Sequence, residues 1–235
     1  RSTCYATALF NVAPRSVVEI KGAQTAFKNA FGVQILCNDG VMNIEDGTYT
    51  THEIALETWG QDPVVNVNGG TFSGDRLIDT SLISSGRGTI NINSGKFTYT
   101  GMCVMRVLGG KTGNEANGVV TEASKALLTI KGGVFVLKEG GRSADYVAVV
   151  RAGGGTTYGT INISGGTFIN ERGNEKNATV IFKNNAASSM SITGGTFLIK
   201  APTQTGIRSF FYRSNGYVDS VAGNGTVANT PTCNI

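Results

Sequence analysis

Histidine, proline and charge are scarce in this sequence. Its 235 residues include one histidine, His52, and 4 prolines. Charged residues make up 15% of the chain, against roughly 25% in typical globular proteins. A single histidine leaves little material for a Ser–His–Asp triad, a Cys–His pair or a multi-histidine metal site. We therefore expect no metal site and no cofactor.

Long apolar runs and clusters of basic residues are missing as well. The longest apolar run falls far short of the ~20 residues that cross a bilayer, so we expect no membrane span. The net charge of +4 is too mild to indicate a nucleic-acid partner. The chain begins with Arg1 rather than methionine, which favours a processed, exported protein in an extracellular or cell-surface location.

The sequence is rich in glycine, with 33 residues, and it contains a repeated phrase. The phrase alternates apolar and polar residues, passes through a glycine-containing pair and ends two positions later on an aromatic residue. Alternation indicates a strand with one buried face, and the glycine marks a turn that needs positive φ. We expect the aromatic residues to stack inside the fold. They are Tyr49, Phe72, Phe97, Phe135, Phe168 and Phe197, in copies that begin at Met42, Val65, Ile90, Leu128, Ile161 and Met190.

A second apolar segment recurs between the copies. Two aligned strands and a third short stretch per repeat make one coil of a parallel β-helix, whereas a barrel or sandwich would need hairpins. The sequence predicts an all-β fold, a single parallel β-helix of about seven coils over residues 18–216, with caps at 1–17 and 217–235. Polar insertions, the longest at 109–125, are expected to leave the coil as loops. The second segments begin at Val33, Glu53, Asp75, Met102, Val147, Thr179 and Ser209.

Alternation that ends in Gly-Gly-Thr-Phe, as at 69–72 and 165–168, resembles the right-handed β-helix proteins of the pectin-lyase-like superfamily. It is especially like the glycine-rich repeats of secreted and surface proteins of bacteria and their phages. The resemblance covers roughly residues 18–216 and implies a right-handed coil. It does not select a function, because the superfamily includes polysaccharide lyases and hydrolases, adhesins, phage tailspikes and structural stalks.

Aligning the second segments predicts one charged column along the coils. The column consists of Cys37, Glu57, Asp79, Arg106, Arg151, Lys183 and Arg213. Its basic part, from Arg106 to Arg213, either binds an anionic glycan or a neighbour's acidic stripe, or is ordinary solvated charge. Like charges stacked at about 4.8 Å repel each other, so the basic part needs a loop, ligand or partner. Two successive apolar positions precede the column and require either a bend in the strand or an exposed apolar strip.

Four acidic residues gather on two adjacent coils, and Arg106 adjoins them. They are Glu53, Glu57, Asp75 and Asp79. A glycosidase needs two or three carboxylates that face each other, and a lyase needs a basic residue that abstracts a proton. The candidate catalytic residues are therefore Glu57, Asp75, Asp79 and Arg106, although a chain with 16 acids can form such a group by chance.

The repeat also places the cysteines. Cys37 and Cys103 lie three coils apart, about 14 Å, which is too far for a disulfide. Cys4 and Cys37 both belong to the first turns, so we expect them to form a disulfide in an oxidising compartment, with Cys103 as a buried thiol. Cys233 then has no partner in its own chain and is a candidate for a head-to-tail bond to Cys4 of a neighbouring copy.

Two functions are compatible with this sequence. The first is an extracellular structural or adhesive module of a fibre, surface or appendage, which contacts glycans or other copies of itself, head-to-tail or side-by-side. Trp59, near a coil corner, is then a platform for stacking sugars, unless it only packs the corner. The alternative is a carbohydrate-active enzyme, a polysaccharide lyase or hydrolase that acts on an acidic polysaccharide.

Overall fold

Every regular element in the described residues is a β-strand, and these residues contain no helix. The 25 strands are numbered β1 to β25 in chain order. The structure, a computed structural model, describes residues 10–13, 15–27, 33–60, 62–75, 81–109, 126–140, 147–153, 159–172, 179–183, 188–200, 207–208, 211–213, 225–226 and 232–234.

The chain visits three sheets, named A, B and C, in the same order in each repeat. Apart from the last strand of sheet C, neighbouring strands within each of these sheets come from successive repeats and run parallel. This arrangement confirms the prediction of an all-β repeat protein. It is compatible with a parallel β-helix, because each repeat returns to the sheet it left and adds one strand there.

Sheet B is formed by the alternating part of the repeated phrase. Val65 and Val67 are fully buried, whereas Asn66 between them is partly exposed. On the outer face, Asn66 Nδ2 donates to Asn43 Oδ1 at 2.8 Å, and Asn91 Nδ2 donates to Asn66 Oδ1 at 2.9 Å. Amide side chains therefore form a hydrogen-bonded ladder across the strands. The strands are β2 (Val17–Ile20), β5 (Val41–Ile44), β8 (Val64–Val67), β11 (Gly88–Ile92), β14 (Ala126–Ile130), β17 (Gly159–Ile163) and β20 (Ser189–Ile192).

Sheet C carries the aromatic residue of each repeat in a continuous internal stack. All six rings are fully buried, and neighbouring centroids lie 4.6, 5.0, 4.8, 4.8 and 5.1 Å apart. Parallel strands hold equivalent residues at the strand spacing, so each ring lies on the next. The predicted stack is confirmed. The strands are β3 (Ala23–Phe27), β6 (Gly47–Thr51), β9 (Thr71–Gly74), β12 (Lys96–Tyr99), β15 (Val134–Leu137), β18 (Thr167–Asn170), β21 (Thr196–Ile199) and β25 (Thr232–Asn234).

The backbone requires the glycine pair between sheets B and C. At Gly166 φ is +105°, a conformation that residues with a Cβ rarely adopt. At Gly165 a Cβ would lie only 2.3 Å from the carbonyl oxygen of Lys131 in the preceding repeat. Gly166 thus permits the turn, and Gly165 permits the close approach of two repeats.

Sheet A contains the second recurring segment, and its strands bend. Two successive residues of a strand belong to the same hydrophobic core, which a straight strand does not allow because its side chains alternate. These pairs are Ala55 and Leu56, Leu82 and Ile83, Val104 and Met105, Val149 and Val150, and Val180 and Ile181. Of the two interpretations of the successive apolar positions, the bend is therefore correct. The strands are β1 (Phe10–Val12), β4 (Val33–Asn38), β7 (Ile54–Trp59), β10 (Ser81–Ser85), β13 (Cys103–Val107), β16 (Ala148–Ala152), β19 (Thr179–Lys183) and β23 (Phe211–Arg213).

Short strands pair near both ends of the chain. β1 runs parallel to β4 in sheet A, and β25 lies antiparallel to β21 in sheet C. β22 (Ile207–Arg208) and β24 (Gly225–Thr226) form a separate antiparallel pair. Residues 1–17 and 217–235 fall largely outside the described residues, so their role as caps stays a prediction.

Candidate functional site

A column of mostly polar side chains runs along the outer face of sheet A. Strand pairing places Glu57 beside Ser84, Ser84 beside Arg106, and Arg106 beside Arg151. Phe182 follows Arg151. The three charged residues are partly exposed, while the residues before and after each of them are buried. Beyond the bend the side chains alternate again, so these three point away from the core. We call Glu57, Ser84, Arg106, Arg151 and Phe182 the outer column.

The predicted charged column is wrong in register for three of its members, Cys37, Lys183 and Arg213. They fall one position farther along the strand, where Lys183 pairs with Ala152 and with Arg213. Within the predicted basic stripe, Arg106 shares a register position with Arg151, and Lys183 shares the next position along the strand with Arg213. The stripe of four basic residues is therefore divided into two pairs, one residue apart along the strands.

The buried side of the strands sets this register. Val150 pairs with Ile181, and both are buried in the core. A slip of one residue would turn every apolar side chain of the strand outward, so matching charged residues by sequence gave the wrong alignment. The segment predicted to begin at Asp75 forms its strand later, at Ser81–Ser85. Asp79 lies outside the described residues.

Glu57 lies partly buried in the outer column. Burial raises the pKa of its carboxyl group, whereas hydrogen bonding with Trp59 and Ser84 and the charge of Arg106 lower it. Burial has the larger effect, so the pKa stays above its usual value. Glu57 therefore keeps its proton to a higher pH than an ordinary glutamate and can donate a hydrogen bond there.

Arg106 has a hydrogen-bond donor without an acceptor. Its Nε is buried and makes no hydrogen bond within the described part of the chain. Its neighbours in the outer column are the hydroxyl-bearing Ser84 and a second cation, Arg151. A buried unsatisfied donor and an adjacent like charge both favour the binding of an anion.

Arg151 is held by a sulfur atom and an aromatic ring. Its Nη1 donates to Met102 Sδ at 3.0 Å, and its Cζ lies 5.3 Å from the centroid of the Phe182 ring. At this separation the ring attracts the cation and helps to fix its orientation. The positive charge of Arg151 is therefore kept next to Arg106.

Trp59 provides an aromatic surface beside the outer column. It ends β7, two residues after Glu57, and is 43% exposed. Its indole lies against Gly86 of the next repeat, where an added Cβ would be 3.2 Å from Cδ2 and 3.3 Å from Cε2. Because Gly86 has no side chain, the indole rests on backbone and keeps much of its surface open. Trp59 therefore packs against the next repeat and leaves part of its indole exposed, and its role as a sugar platform stays a prediction.

The predicted acidic group is divided between two places. Asp75 Oδ1 lies 3.0 Å from His52 Nδ1, and both side chains are substantially exposed. Glu57 lies instead in the outer column, and the described residues show no contact between it and Asp75. The structure thus does not bring two of the candidate catalytic carboxylates together.

Metal-ligand side chains do not gather in the described ranges. Among those residues, no group of three or more histidine, cysteine, aspartate or glutamate side chains is placed to hold an ion. Across the same part of the chain, no helix is long and apolar enough to cross a membrane.

Cys37 is a buried thiol. Its Sγ lies 3.4 Å from the carbonyl oxygen of Gly40 and 3.9 Å from that of Val64. Burial raises the pKa of the thiol. Cys103 is buried as well. Cys4 lies outside the described residues, so the Cys4–Cys37 disulfide stays a prediction.

Sequence reasoning did not find Ser84, Phe182 and Met102, which surround the two arginines. Aligning the buried apolar positions, rather than the charged ones, would have placed Ser84 and Phe182 in the outer column. The contact of Met102 with Arg151 joins residues 49 apart, and no periodic pattern signals it.

Comparisons of the chain with protein-family models, with curated proteins and with solved structures found no match. The chemistry of the outer column and of Trp59 is therefore the basis for interpreting function.

Proposed function

We propose that the chain is an extracellular or cell-surface structural or adhesive module that contacts anionic glycans through sheet A. In this proposal it is a right-handed parallel β-helix of the pectin-lyase-like kind, with about seven coils and a cap at each end. The three parallel sheets and the repeated phrase support this architecture. A rigid stack of strands suits such a module, because it holds surface side chains at fixed spacing.

The exposed indole of Trp59 carries the proposal. An aromatic ring laid against backbone gives a sugar ring a flat apolar partner at little conformational cost, since the ring is already held in place. Gly86 makes this position possible, because any side chain there would lift the indole from the sheet. Proteins bind sugars through such stacking combined with nearby polar groups.

The outer column supplies those polar groups. Glu57 donates or accepts a hydrogen bond, depending on its protonation, and Arg106 offers its guanidinium to a carboxylate or sulfate. Arg106 lies one strand from Gly86 and two residues along it, about 8 Å away on the sheet. The side chain of arginine is long enough to cover much of that distance, so a sugar stacked on Trp59 would present an acidic substituent within reach of Arg106.

Binding to an array of acidic and neutral oligosaccharides tests this function. We expect acidic ligands to bind and Trp59→Ala to weaken their binding by about tenfold or more, the equivalent of 1.4 kcal/mol. Arg106→Gln should remove the preference for acidic over neutral ligands. Salt should weaken the binding of acidic ligands, because screening reduces attraction between exposed charges.

Val134→Ala is the matched control for Trp59→Ala. Val134 is 38% exposed on sheet C, away from the outer column, and its loss should leave glycan binding unchanged. Equal weakening by both variants would indicate a general loss of structure. Absence of binding to every acidic and neutral glycan would overturn the adhesive function.

The raised pKa of Glu57 also favours a second candidate, an enzyme that cleaves an acidic polysaccharide. A carboxyl group that stays protonated can act as a general acid on a leaving oxygen. A second carboxylate would have to complete such a site, and Asp75, which pairs with His52, is not seen in contact with Glu57. Incubation with polyuronates, followed by assays for unsaturated products and for reducing ends, tests this candidate. Products that form with the parent and not with Glu57→Gln would support it; no products from either would reject it.

A further inference from the structure

The outer face of sheet B contains three rows of side chains, and the rows differ in chemistry. The first row is aliphatic for most of its length, the second is mostly amide, and the third holds amides between charged residues. Strand pairing and the backbone hydrogen bonds that follow each strand set the rows. Over the first five strands of the sheet, row one contains Val17, Val41, Val64, Thr89 and Leu127; row two contains Glu19, Asn43, Asn66, Asn91 and Thr129; row three contains Lys21, Glu45, Asn68, Asn93 and Lys131.

The charges of this face have an ordered arrangement. Glu19 and Lys21 neutralise each other through an ion pair of 3.1 Å. Glu45 and Lys131 make no ion pair within the described residues, and two amides separate them in row three. They are three strands apart, about 14 Å. The four charges sum to zero, whereas the whole chain carries +4, so this face is not repelled by a copy of itself.

We propose that the outer face of sheet B docks against the same face of a second copy, with the order of the repeats reversed. A twofold axis parallel to the strands, between β8 and β11, relates the two copies. This inference deepens the proposed structural function by naming a partner, and it rests on that function but not on the binding of glycans. A twofold contact of this kind is closed, so it produces a dimer.

The reversed order brings opposite charges together. β5 of one copy faces β14 of the other, so Glu45 meets Lys131 of the second copy, and the same pair forms again on the other side of the axis. Within row one, Val41 meets Leu127 of the second copy, which removes aliphatic surface from water twice. A twofold contact with the repeats in the same order would instead reverse the strands and set row three against row one, so the Glu45 carboxylate would meet the aliphatic Val41.

The middle of the contact is made of amides. β8 faces β11 of the second copy, so Asn66 meets Asn91 and Asn68 meets Asn93. Each amide has donors and acceptors beyond those used in the ladders, because an Asn side chain carries two N–H groups and one oxygen with two lone pairs. Amides therefore satisfy one another across the interface without burying an unpaired charge.

The available area predicts a weak dimer. Seven strands and five residues per strand give a face of about 30 by 17 Å, or roughly 1,000 Å² for the two copies together. Stable specific interfaces start near 1,200 Å², so we expect a dimer that dissociates on dilution. The charge pairs then mainly select the orientation of the two copies and contribute less to the affinity of the dimer.

Sedimentation velocity of the full chain across a wide concentration range tests the dimer. We expect the parent to dimerise on concentration and Glu45→Lys to weaken dimerisation by about tenfold or more, because lysines then face each other. Lys131→Glu should also weaken dimerisation, because Glu45 then faces a glutamate of the second copy. The double exchange of Glu45→Lys with Lys131→Glu should restore dimerisation, since opposite charges meet again.

Lys96→Glu is the control, because Lys96 is an exposed cation on sheet C. It changes the net charge as Lys131→Glu does and should leave dimerisation unchanged. Circular dichroism checks that each variant keeps its strands. A parent that stays monomeric at every concentration would overturn the inference. A double exchange that fails to restore the dimerisation lost in the single variants would overturn it as well. Glycan binding by a monomeric parent would leave the proposed adhesive function standing.

Discussion

The rings of Phe97 and Phe135 stack with their centroids 4.8 Å apart and their planes within 7°, although 38 residues separate them in the chain. Phe72 and Phe97, only 25 residues apart, stack at 5.0 Å. The extra residues between β13 and β14 therefore leave the core spacing unchanged. Contacts between neighbouring repeats, rather than the length of chain joining them, hold the stack together.

Phe168→Ala tests the aromatic stack. The ring lies between Phe135 and Phe197 and is fully buried, so its loss should destabilise the fold by about 3–5 kcal/mol through lost burial and a cavity. Urea unfolding followed by circular dichroism measures the change. Thr167→Ala alters the partly exposed neighbour and should cost less than about 0.5 kcal/mol. Equal costs for both variants would mean that the stack does not stabilise the protein.

Gly165→Ala tests the close approach of the repeats. An added Cβ would clash with the Lys131 carbonyl, and relieving such overpacking costs about 1–3 kcal/mol. Gly22→Ala is the control, because Gly22 has a φ of +60° but no atom within 4 Å of the added Cβ. It should show only the strain of a left-handed residue, about 1 kcal/mol. A smaller loss at Gly165 than at Gly22 would contradict the crowding described here.

Glu171 should make stability depend on pH. Burial by itself raises the pKa of Glu171, but Lys200 and Lys138 hydrogen-bond to it and add their charges, so the net pKa is lowered. A lowered pKa in the folded state contributes stability above the unfolded value, about 4.3. That stability is lost as the pH falls through the folded value. Unfolding free energies from pH 6 to 3 should decline less steeply for Glu171→Gln than for the parent, whereas Glu139→Gln, at an exposed position, should follow the parent. Identical slopes for all three would exclude the contribution.

The Cys37 thiol should react slowly with alkylating reagents in the folded, reduced protein. Burial limits access and raises the thiol pKa, which lowers the fraction of reactive thiolate. Mass spectrometry of digests after timed alkylation measures the rate, and unfolding in urea should accelerate it strongly. Digests of the oxidised, unreduced protein test the Cys4–Cys37 disulfide in the same experiment. Rapid alkylation of Cys37 in the folded, reduced state would contradict its burial.

The sequence was a good guide to the core. Alternation around Val65 and Val67 predicted a strand with one buried face, and Phe72 marked the strand that follows it. The aromatic stack could be predicted because a side chain at a fixed place in a stacked repeat meets its equivalent in the next repeat. The sequence located the strands of sheet A less well. The strand of the third repeat was expected from Asp75 but begins at Ser81.

The candidate site was harder to predict because charge does not set register. Arg151 was aligned with Lys183 by chemical similarity, whereas the strands pair so that Val150 and Ile181 both enter the core. Burial of apolar side chains is worth more than the match of two exposed cations, which repel each other. The neighbours of Arg151, Met102 and Phe182, follow from the three-dimensional register and were not visible in the repeat.

The amide rows of sheet B give the protein a direction along its long axis. In both amide rows each Nδ2 donates toward the amino-terminal end, from Asn91 to Asn66 in row two and from Asn93 to Asn68 in row three. The hydrogen-bonded chain of row three ends on the Glu45 carboxylate. A carboxylate only accepts hydrogen bonds, and Lys131 beyond Asn93 only donates them. The row therefore runs from an obligate acceptor to an obligate donor, with amides that polarise one another in between. Exchanging the repeats that contain Glu45 and Lys131 would put a donor where an acceptor is needed, so these repeats are similar in shape but not interchangeable in position.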